Sequence, residues 1–129
     1  TVAAKLELVV RAKKAGVPVI SSMGAGNKVN PAMFEVADIY KTKVDPLARV
    51  MRQAMKKNNI KKLKVVYSQE LPLLPINEEI ESECHAETSK RRALPGSNAF
   101  TPSVAGLIIA SEVIKDLVGL DDSHRKGLA

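Results

Sequence analysis

The start of the chain has the hydrophobic pattern of an amphipathic helix followed by a buried strand. Apolar side chains recur at helical spacing, for example Leu6 and Val9, with charged residues between them. Gly16 is placed to end this helix, and the almost wholly apolar run 17–23 predicts a strand buried on both faces, as in a parallel sheet. A helix leading into such a strand is the second half of a βαβ unit. We therefore expect a preceding strand that this sequence does not contain.

The following segment predicts a second strand, a second helix and a third strand. Residues 34–40 alternate between apolar and polar, which is typical of a strand with one solvated face. Asp45-Pro46 combines an N-cap residue with the residue best suited to the first helical turn. The apolar face of the helix that follows comprises Leu47, Val50, Met51, Ala54 and Met55. Residues 63–68 are mainly apolar, so the predicted order over 1–68 is helix, strand, strand, helix, strand.

A long aperiodic segment separates these elements from a final helix. Residues 69–98 lack a repeating hydrophobic spacing, which predicts a mobile crossover loop. Thr101, next to Pro102, is the expected cap of the last helix, which we place within 101–119. Apolar residues cover much of its circumference, so we expect it to be buried in the core or in an oligomer interface. The side chains expected to be shielded from water are Ile108, Ile109 and Leu117.

These elements predict an α/β half-domain, the C-terminal part of one domain, with a mixed sheet over residues 1–129. Hydrophobic residues make up 45% of the chain and charged residues 26%, which is ordinary for a folded domain. The longest apolar stretch, 104–120, is interrupted by three charged side chains and is too short to span a bilayer. We therefore expect no membrane partner.

Positive charge is concentrated in the middle of the sequence. Nine lysines and arginines and a single acid, Asp45, lie between residues 41 and 64, against a net charge of +6 for the whole chain. One interpretation is a solvated helix face with its connecting turn. The other is a surface that binds nucleic-acid phosphates. Its candidate contacts are Lys56, Lys57, Lys61 and Lys62.

The sequence assigns no catalytic residue and no metal site. Cys84 is the sole cysteine, so an internal disulfide is excluded, which suits a reducing cytoplasm. It neighbours His85, but the acidic side chains around it disfavour the thiolate, so we interpret it as an incidental thiol rather than a nucleophile. Cys84, His85 and His124 do not have the spacing of metal ligands.

The glycine-containing loop 24–26 directly follows the predicted buried strand. Ligands of open parallel sheets bind outside the carboxyl ends of the strands, so this loop is a candidate wall of a binding site. It is neither a G-x-G-x-x-G motif nor a P-loop, and on its own it does not indicate a nucleotide site. A simple turn is the alternative.

Three segments carry a resemblance to a known family. They are SSMGAGN at 21–27, DIYKTKVDPLA at 38–48 and PSVAGLIIASEVIKDL at 102–117. With them, nearly the whole sequence resembles the C-terminal half of the ThiF/MoeB/HesA family of adenylating enzymes, and within it the TcdA branch of tRNA-modifying dehydratases. The resemblance is weak over residues 71–90.

This resemblance implies a Rossmann-like domain that dimerises and uses ATP and Mg²⁺ to activate a carboxylate as an acyl-adenylate. In the TcdA branch the carboxylate belongs to the threonylcarbamoyl group of a tRNA adenosine, which then cyclises with loss of water. The family's phosphate-binding G-x-G-x-x-G motif lies upstream of the matching segment, and its catalytic aspartate would immediately precede Thr1. We therefore expect this chain alone to be inactive and to bind ATP weakly. The candidate substrate-binding residues are Ser22, Gly24, Gly26, Arg91 and Arg92.

Two alternatives to a tRNA dehydratase remain at this point. Within the same family, the parent enzyme could activate a ubiquitin-like sulfur-carrier protein instead of tRNA; the basic stretch favours tRNA. Outside it, the chain could be a non-catalytic α/β interaction module. Some family members have a cysteine just before the final helix, near 94–96, where this sequence has none.

Overall fold

The computed structural model describes residues 1–74 and 96–127, which form a three-stranded sheet with three α-helices. The helices are α1 (Val2–Lys14), α2 (Pro46–Lys57) and α3 (Thr101–Val118). The strands are β1 (Ile20–Ser22), β2 (Phe34–Asp38) and β3 (Lys64–Ser68). Short 3₁₀ turns occupy Pro31–Met33, Ile39–Lys41 and Asp122–His124. Most of the predicted crossover loop, residues 75–95, lies outside the described residues.

The sheet has the order β1–β3–β2 and is mixed, as predicted. β1 runs parallel to β3, with Ser22 opposite Val66, and β2 runs antiparallel to β3, with Val36 opposite the same residue. This arrangement confirms the α/β class. β3, as the middle strand, is buried along almost its whole length.

Alternate residues of β3 face two different layers. Val65 and Tyr67 belong to the main core cluster with residues of α1 and α2. Lys64 instead hydrogen-bonds Glu112 of α3, so α3 covers the opposite face of the sheet. The fully buried large side chains of the main core are aliphatic or methionine, which fits a sequence with 3% aromatic residues. They include Ile39, Met51, Met55 and Leu63.

Two strands are shorter than the hydrophobic pattern predicted. The run 17–23 pairs as β1 only from Ile20, because the Val17 amide donates to the Ala12 carbonyl at the end of α1 and Pro18 has no amide hydrogen. β2 ends at Asp38, whose carboxylate accepts from the Tyr40 amide at 2.9 Å and starts a 3₁₀ turn.

α2 follows the prediction closely, with one correction. The Asp45 side chain accepts from the Ala48 amide at 3.0 Å, which is the expected N-cap. Met51 and Met55 are fully buried, but Val50 is 47% exposed and does not belong to the buried face. It lies about 100° around the helix from Met51, beyond the edge of the apolar stripe.

α3 differs from its prediction at its start and in its burial. Thr101 is the first helical residue rather than the cap, since the Asn98 side chain accepts from its amide at 2.7 Å. Of the helix only Thr101 and Ala105 are buried; Ile108 and Ile109 are half-buried. Leu117 is 80% exposed, so the described chain does not itself shield this side chain as expected. Burial in an interface therefore stays a prediction.

Candidate functional site

A buried lysine joins the loop after β1 to the rest of the fold. Lys28 is 3% exposed, and its Nζ donates to Asp45 Oδ2 at 3.2 Å and to the Ser68 carbonyl at 3.1 Å. The Asp45 side chain is fully buried as well. A buried ammonium needs a paired charge and further acceptors, and Lys28 has both. The pair therefore fixes the loop against the start of α2 and the end of β3.

The backbone of Lys28 links the same loop to α3. We call the contacts that Lys28 and Asp45 make among this loop, α2, β3 and α3 the Lys28 junction. Its carbonyl accepts from Thr101 Oγ1 at 2.9 Å and from the Asn98 side-chain amide at 2.9 Å. The Asn98 side chain also accepts from the Thr101 amide, so the start of this helix is anchored to the loop by side-chain hydrogen bonds. Sequence reasoning missed Lys28 because its partners lie 17 to 73 positions away.

Gly24 lies against this junction. Its amide donates to Asp45 Oδ2 at 3.0 Å, so that N–H is not available to a ligand. A Cβ at this position would stand 3.1 Å from the same oxygen. Gly24 therefore serves close approach to Asp45, and a substrate contact at this residue stays a prediction.

Replacing Gly24 by alanine is expected to destabilise the protein by about 1–3 kcal/mol, the usual cost of overpacking. Asp45 cannot retreat from a methyl group easily because Ala48 and Lys28 hold its two oxygens. The measurement is the midpoint of denaturant unfolding. Gly106→Ala is the matched control: nothing lies within 4 Å of a Cβ there, and alanine should stabilise helix α3 by about 0.5–1 kcal/mol. Equal effects at the two sites would contradict this account.

The other candidate substrate residues divide between described and undescribed parts of the chain. Ser22 ends β1, and its carbonyl accepts from Lys5 Nζ at 2.7 Å. Gly26 is exposed in the loop that follows. Ser22, Gly24 and Gly26 therefore share the carboxyl end of β1, where a ligand of a parallel sheet is expected. Arg91 and Arg92, like Cys84 and His85, lie outside the described residues.

The four candidate phosphate contacts are exposed. Lys56 and Lys57 end α2, and Lys61 and Lys62 lead into β3. Within residues 1–74 and 96–127, none of the four forms an ion pair. They lie at the amino end of β3.

The structure separates these lysines from the loop at β1. Ser22 is opposite Val66, four residues beyond Lys62 along β3. At about 3.3 Å per residue, the two groups are on the order of 13 Å apart along the strand direction. One small ligand cannot contact both.

Lys64, the ninth cation of the basic stretch, already forms ion pairs within the chain. Its Nζ is 3.0 Å from Asp116 and 3.2 Å from Glu112 on α3. The hydrogen bond to Asp116 raises the pKa of the Lys64 ammonium, and Lys115 lowers the pKa of the Glu112 carboxyl through a second hydrogen bond. Beside them, Val17–Ile20, Val113 and Leu117 line a groove of about 380 Å³.

Several backbone amides of the loop and helix starts are already hydrogen-bonded within the chain. The Gly24 amide is bonded to Asp45, and Asn27 exchanges backbone and side-chain hydrogen bonds with Gly96. At the helix starts, the Ala48 amide of α2 donates to Asp45 and the Thr101 amide of α3 donates to Asn98, so these two amides are not available to an anion. Nor, across the described ranges, do three acidic, histidine or cysteine side chains converge on a metal-sized site. None of the helices formed by these residues is long and apolar enough to cross a bilayer.

Two curated relatives match most of the chain. It is 43% identical to the tRNA threonylcarbamoyladenosine dehydratase of Bacillus subtilis over 122 residues, covering 92% of this chain and 48% of the relative. It is 37% identical to tRNA threonylcarbamoyladenosine dehydratase 2 of Saccharomyces cerevisiae over 126 residues, covering 88% of this chain and 28% of that protein. The chain thus spans less than half the length of the curated relatives it matches. No protein-family model matches it.

The fold has a solved counterpart. The structure of the E. coli tRNA N6-threonylcarbamoyladenosine dehydratase in complex with ATP matches 95% of this chain and 46% of that chain, with a TM-score of 0.67 and 21% identity. At that identity the match supports the fold alone. Together with the curated relatives, it confirms the resemblance inferred from the sequence and the match to the C-terminal half of such an enzyme.

Proposed function

We propose that this chain, which belongs to the same family as the tRNA threonylcarbamoyladenosine dehydratases, forms the C-terminal part of a cytoplasmic, ATP-dependent enzyme of that activity. The observation that carries the proposal is the 43% identity to the B. subtilis dehydratase over 92% of the chain. ATP, with Mg²⁺, activates the threonylcarbamoyl carboxylate so that the group closes on itself with net loss of water.

The contribution of this chain is a scaffold and a wall of the site, not the ATP pocket. The amides of Gly24, Ala48 and Thr101 donate to side chains of this chain, which supports binding of the phosphates by other parts of the protein. The outer edge of β1 has no partner strand among the described residues, and the apolar groove beside it is open. A parallel strand is normally covered on both sides, which supports a further strand next to β1 in the whole protein.

The test is substrate-dependent exchange of labelled pyrophosphate into ATP by the full-length protein. Formation of an acyl-adenylate is reversible, so exchange requires the carboxylate that the enzyme activates. We expect exchange with tRNA bearing threonylcarbamoyladenosine and none with the same tRNA lacking the threonylcarbamoyl group. Exchange that depends instead on a ubiquitin-like sulfur carrier would assign the alternative activity.

The tRNA would be contacted by Lys56, Lys57, Lys61 and Lys62. All four are exposed and unpaired in the described part of the chain, so they are free to replace counterions on phosphates. Changing the four to alanine should flatten the dependence of log K on log salt by roughly 0.9 per lost contact. Nitrocellulose filter binding over a series of salt concentrations measures this slope. An unchanged slope would mean that these lysines form a solvated face and do not contact the phosphates of tRNA.

The exposed side of α3 supports a homodimer. Leu107 is 70% exposed and Ile114 59%, and Ala110 lies between them on the side of the helix turned away from the sheet. A two-fold antiparallel pairing centred on Ala110 would place Leu107 against Ile114 of a second copy, since the two are nearly equidistant from the centre. Such a surface is self-complementary, as a two-fold interface requires.

A further inference from the structure

The topology collects positive charge from two helices at one end of the sheet. α1 leads directly into β1 and α2 directly into β3, and these strands are parallel, with Ile20 opposite Lys64. The last turns of both helices therefore lie at the amino ends of the strands. Together with the connection between α2 and β3, they supply six exposed lysines, which we call the lysine rim: Lys13, Lys14, Lys56, Lys57, Lys61 and Lys62.

Among residues 1–74 and 96–127, no acidic side chain forms an ion pair with the lysine rim. The nearby cations that have acidic partners are different residues: Arg11 is paired with Glu7, and Lys64 with two acids of α3 on the other face of the sheet. The carboxylate of Asp38, at the same end, accepts from the Tyr40 and Leu63 amides. For the rim lysines themselves, residues 1–74 and 96–127 supply no ion pair.

Helix stabilisation does not account for this much charge. The C-terminal end of a helix is equivalent to about half a negative charge, so the ends of α1 and α2 together amount to about one. Six lysines exceed that several-fold. Two of them, Lys61 and Lys62, follow the helix end and lie outside it.

The surroundings of the rim favour a double-stranded rather than a single-stranded ligand. Single-stranded nucleic acid is bound by stacking bases on exposed aromatic rings. The one aromatic side chain near this end, Tyr40, is half-buried and donates its hydroxyl to the Ile60 carbonyl. Unpaired lysines without stacking rings match the phosphates of a duplex, which binds by charge and releases counterions.

We propose that the lysine rim binds the phosphate backbone of a double-stranded tRNA arm, with Lys13 and Lys14 of α1 as contacts beside those of α2 and β3. This rests on the proposed function for the identity of the RNA. The rim lies at the opposite end of the sheet from Ser22 and Gly24, so the arm it binds is remote from the nucleotide that reacts. The rim therefore contributes affinity and orientation and takes no part in the chemistry.

The experiment compares the full-length protein with its Lys13→Ala/Lys14→Ala variant. The probe is a perfectly paired RNA duplex without threonylcarbamoyladenosine and without ATP, so that binding is measured independently of the reaction. The slope of log K against log salt should fall by about two units for two lost contacts. Lys43→Ala/Lys126→Ala, which removes two exposed lysines outside the rim, is the matched control and should leave the slope unchanged.

The outcomes separate this proposal from the proposed function. An unchanged slope in the Lys13→Ala/Lys14→Ala variant, with pyrophosphate exchange intact, overturns the rim and leaves the activity standing. A reduced slope without tRNA-dependent exchange supports the rim and overturns the activity. Binding to phosphatidylserine vesicles in place of the duplex would identify the rim as a membrane-facing surface and overturn the proposal. Equal thermal midpoints of the variants exclude unfolding as the cause.

Discussion

Replacing Lys28 by alanine should destabilise the protein by about 3–5 kcal/mol, the usual cost of removing one partner of a buried ion pair. Asp45 would lose its cationic partner while its side chain stays fully buried. The Ser68 carbonyl would lose the donor that now lies 3.1 Å away. Because the loop that contains Lys28 also anchors α3, the destabilisation should extend to α3 as well as to the start of α2. Chemical denaturation monitored by circular dichroism measures it.

The matched controls separate charge from volume. Lys28→Met keeps most of the side-chain volume but still leaves Asp45 unpaired, so it should be nearly as damaging as Lys28→Ala. Adding Asp45→Asn to Lys28→Met removes the stranded charge while keeping an oxygen that caps α2, and should recover much of the loss. A loss of less than about 1 kcal/mol in the free energy of unfolding for Lys28→Ala would mean that the Lys28–Asp45 ion pair does not stabilise the junction.

Placing glutamate at both Leu107 and Ile114 should convert a dimer of the full-length protein into a monomer. Burying each side chain stabilises by roughly 1.5–3 kcal/mol, and a two-fold interface buries each twice, so the change removes about 6–12 kcal/mol from the association. Sedimentation at micromolar concentration gives the oligomeric state. Leu8→Glu is the control, since Leu8 is 69% exposed on α1, away from this face.

Two results would contradict the α3 interface. The unaltered protein could sediment as a monomer, which would show that α3 is covered by its own chain. Alternatively, the double-glutamate variant could associate as strongly as before, which would place the dimer contact elsewhere.

The sequence predicted the elements whose signals are local. The Asp45-Pro46 start of α2, its two buried methionines and the apolar run of β3 all depend on neighbours within a few positions, and each lies where it was expected. The mixed sheet followed from these elements. β1 was overextended because an apolar run shows that a segment is buried but not where its hydrogen bonds begin.

The junction around Lys28 could not be predicted in the same way. A lysine in a turn-rich loop is normally solvated, and its burial depends on an aspartate, a carbonyl and a helix start that only the fold brings together. The sequence predicts Asp45 as a helix cap, which is a local role, but it does not predict the contacts of Asp45 with Gly24 and Lys28. Likewise the basic stretch was visible along the sequence, but its extension to Lys13 and Lys14 required the parallel pairing of β1 with β3.

The most direct test of the proposed activity is the mass of the modified nucleoside after reaction. The full-length protein is incubated with ATP, Mg²⁺ and tRNA bearing threonylcarbamoyladenosine, and the digested nucleosides are analysed by mass spectrometry. The account predicts that threonylcarbamoyladenosine is converted to a product lighter by one water molecule, only when ATP is present. An unchanged nucleoside mass, with ATP consumed only when a sulfur-carrier protein is added, would contradict it.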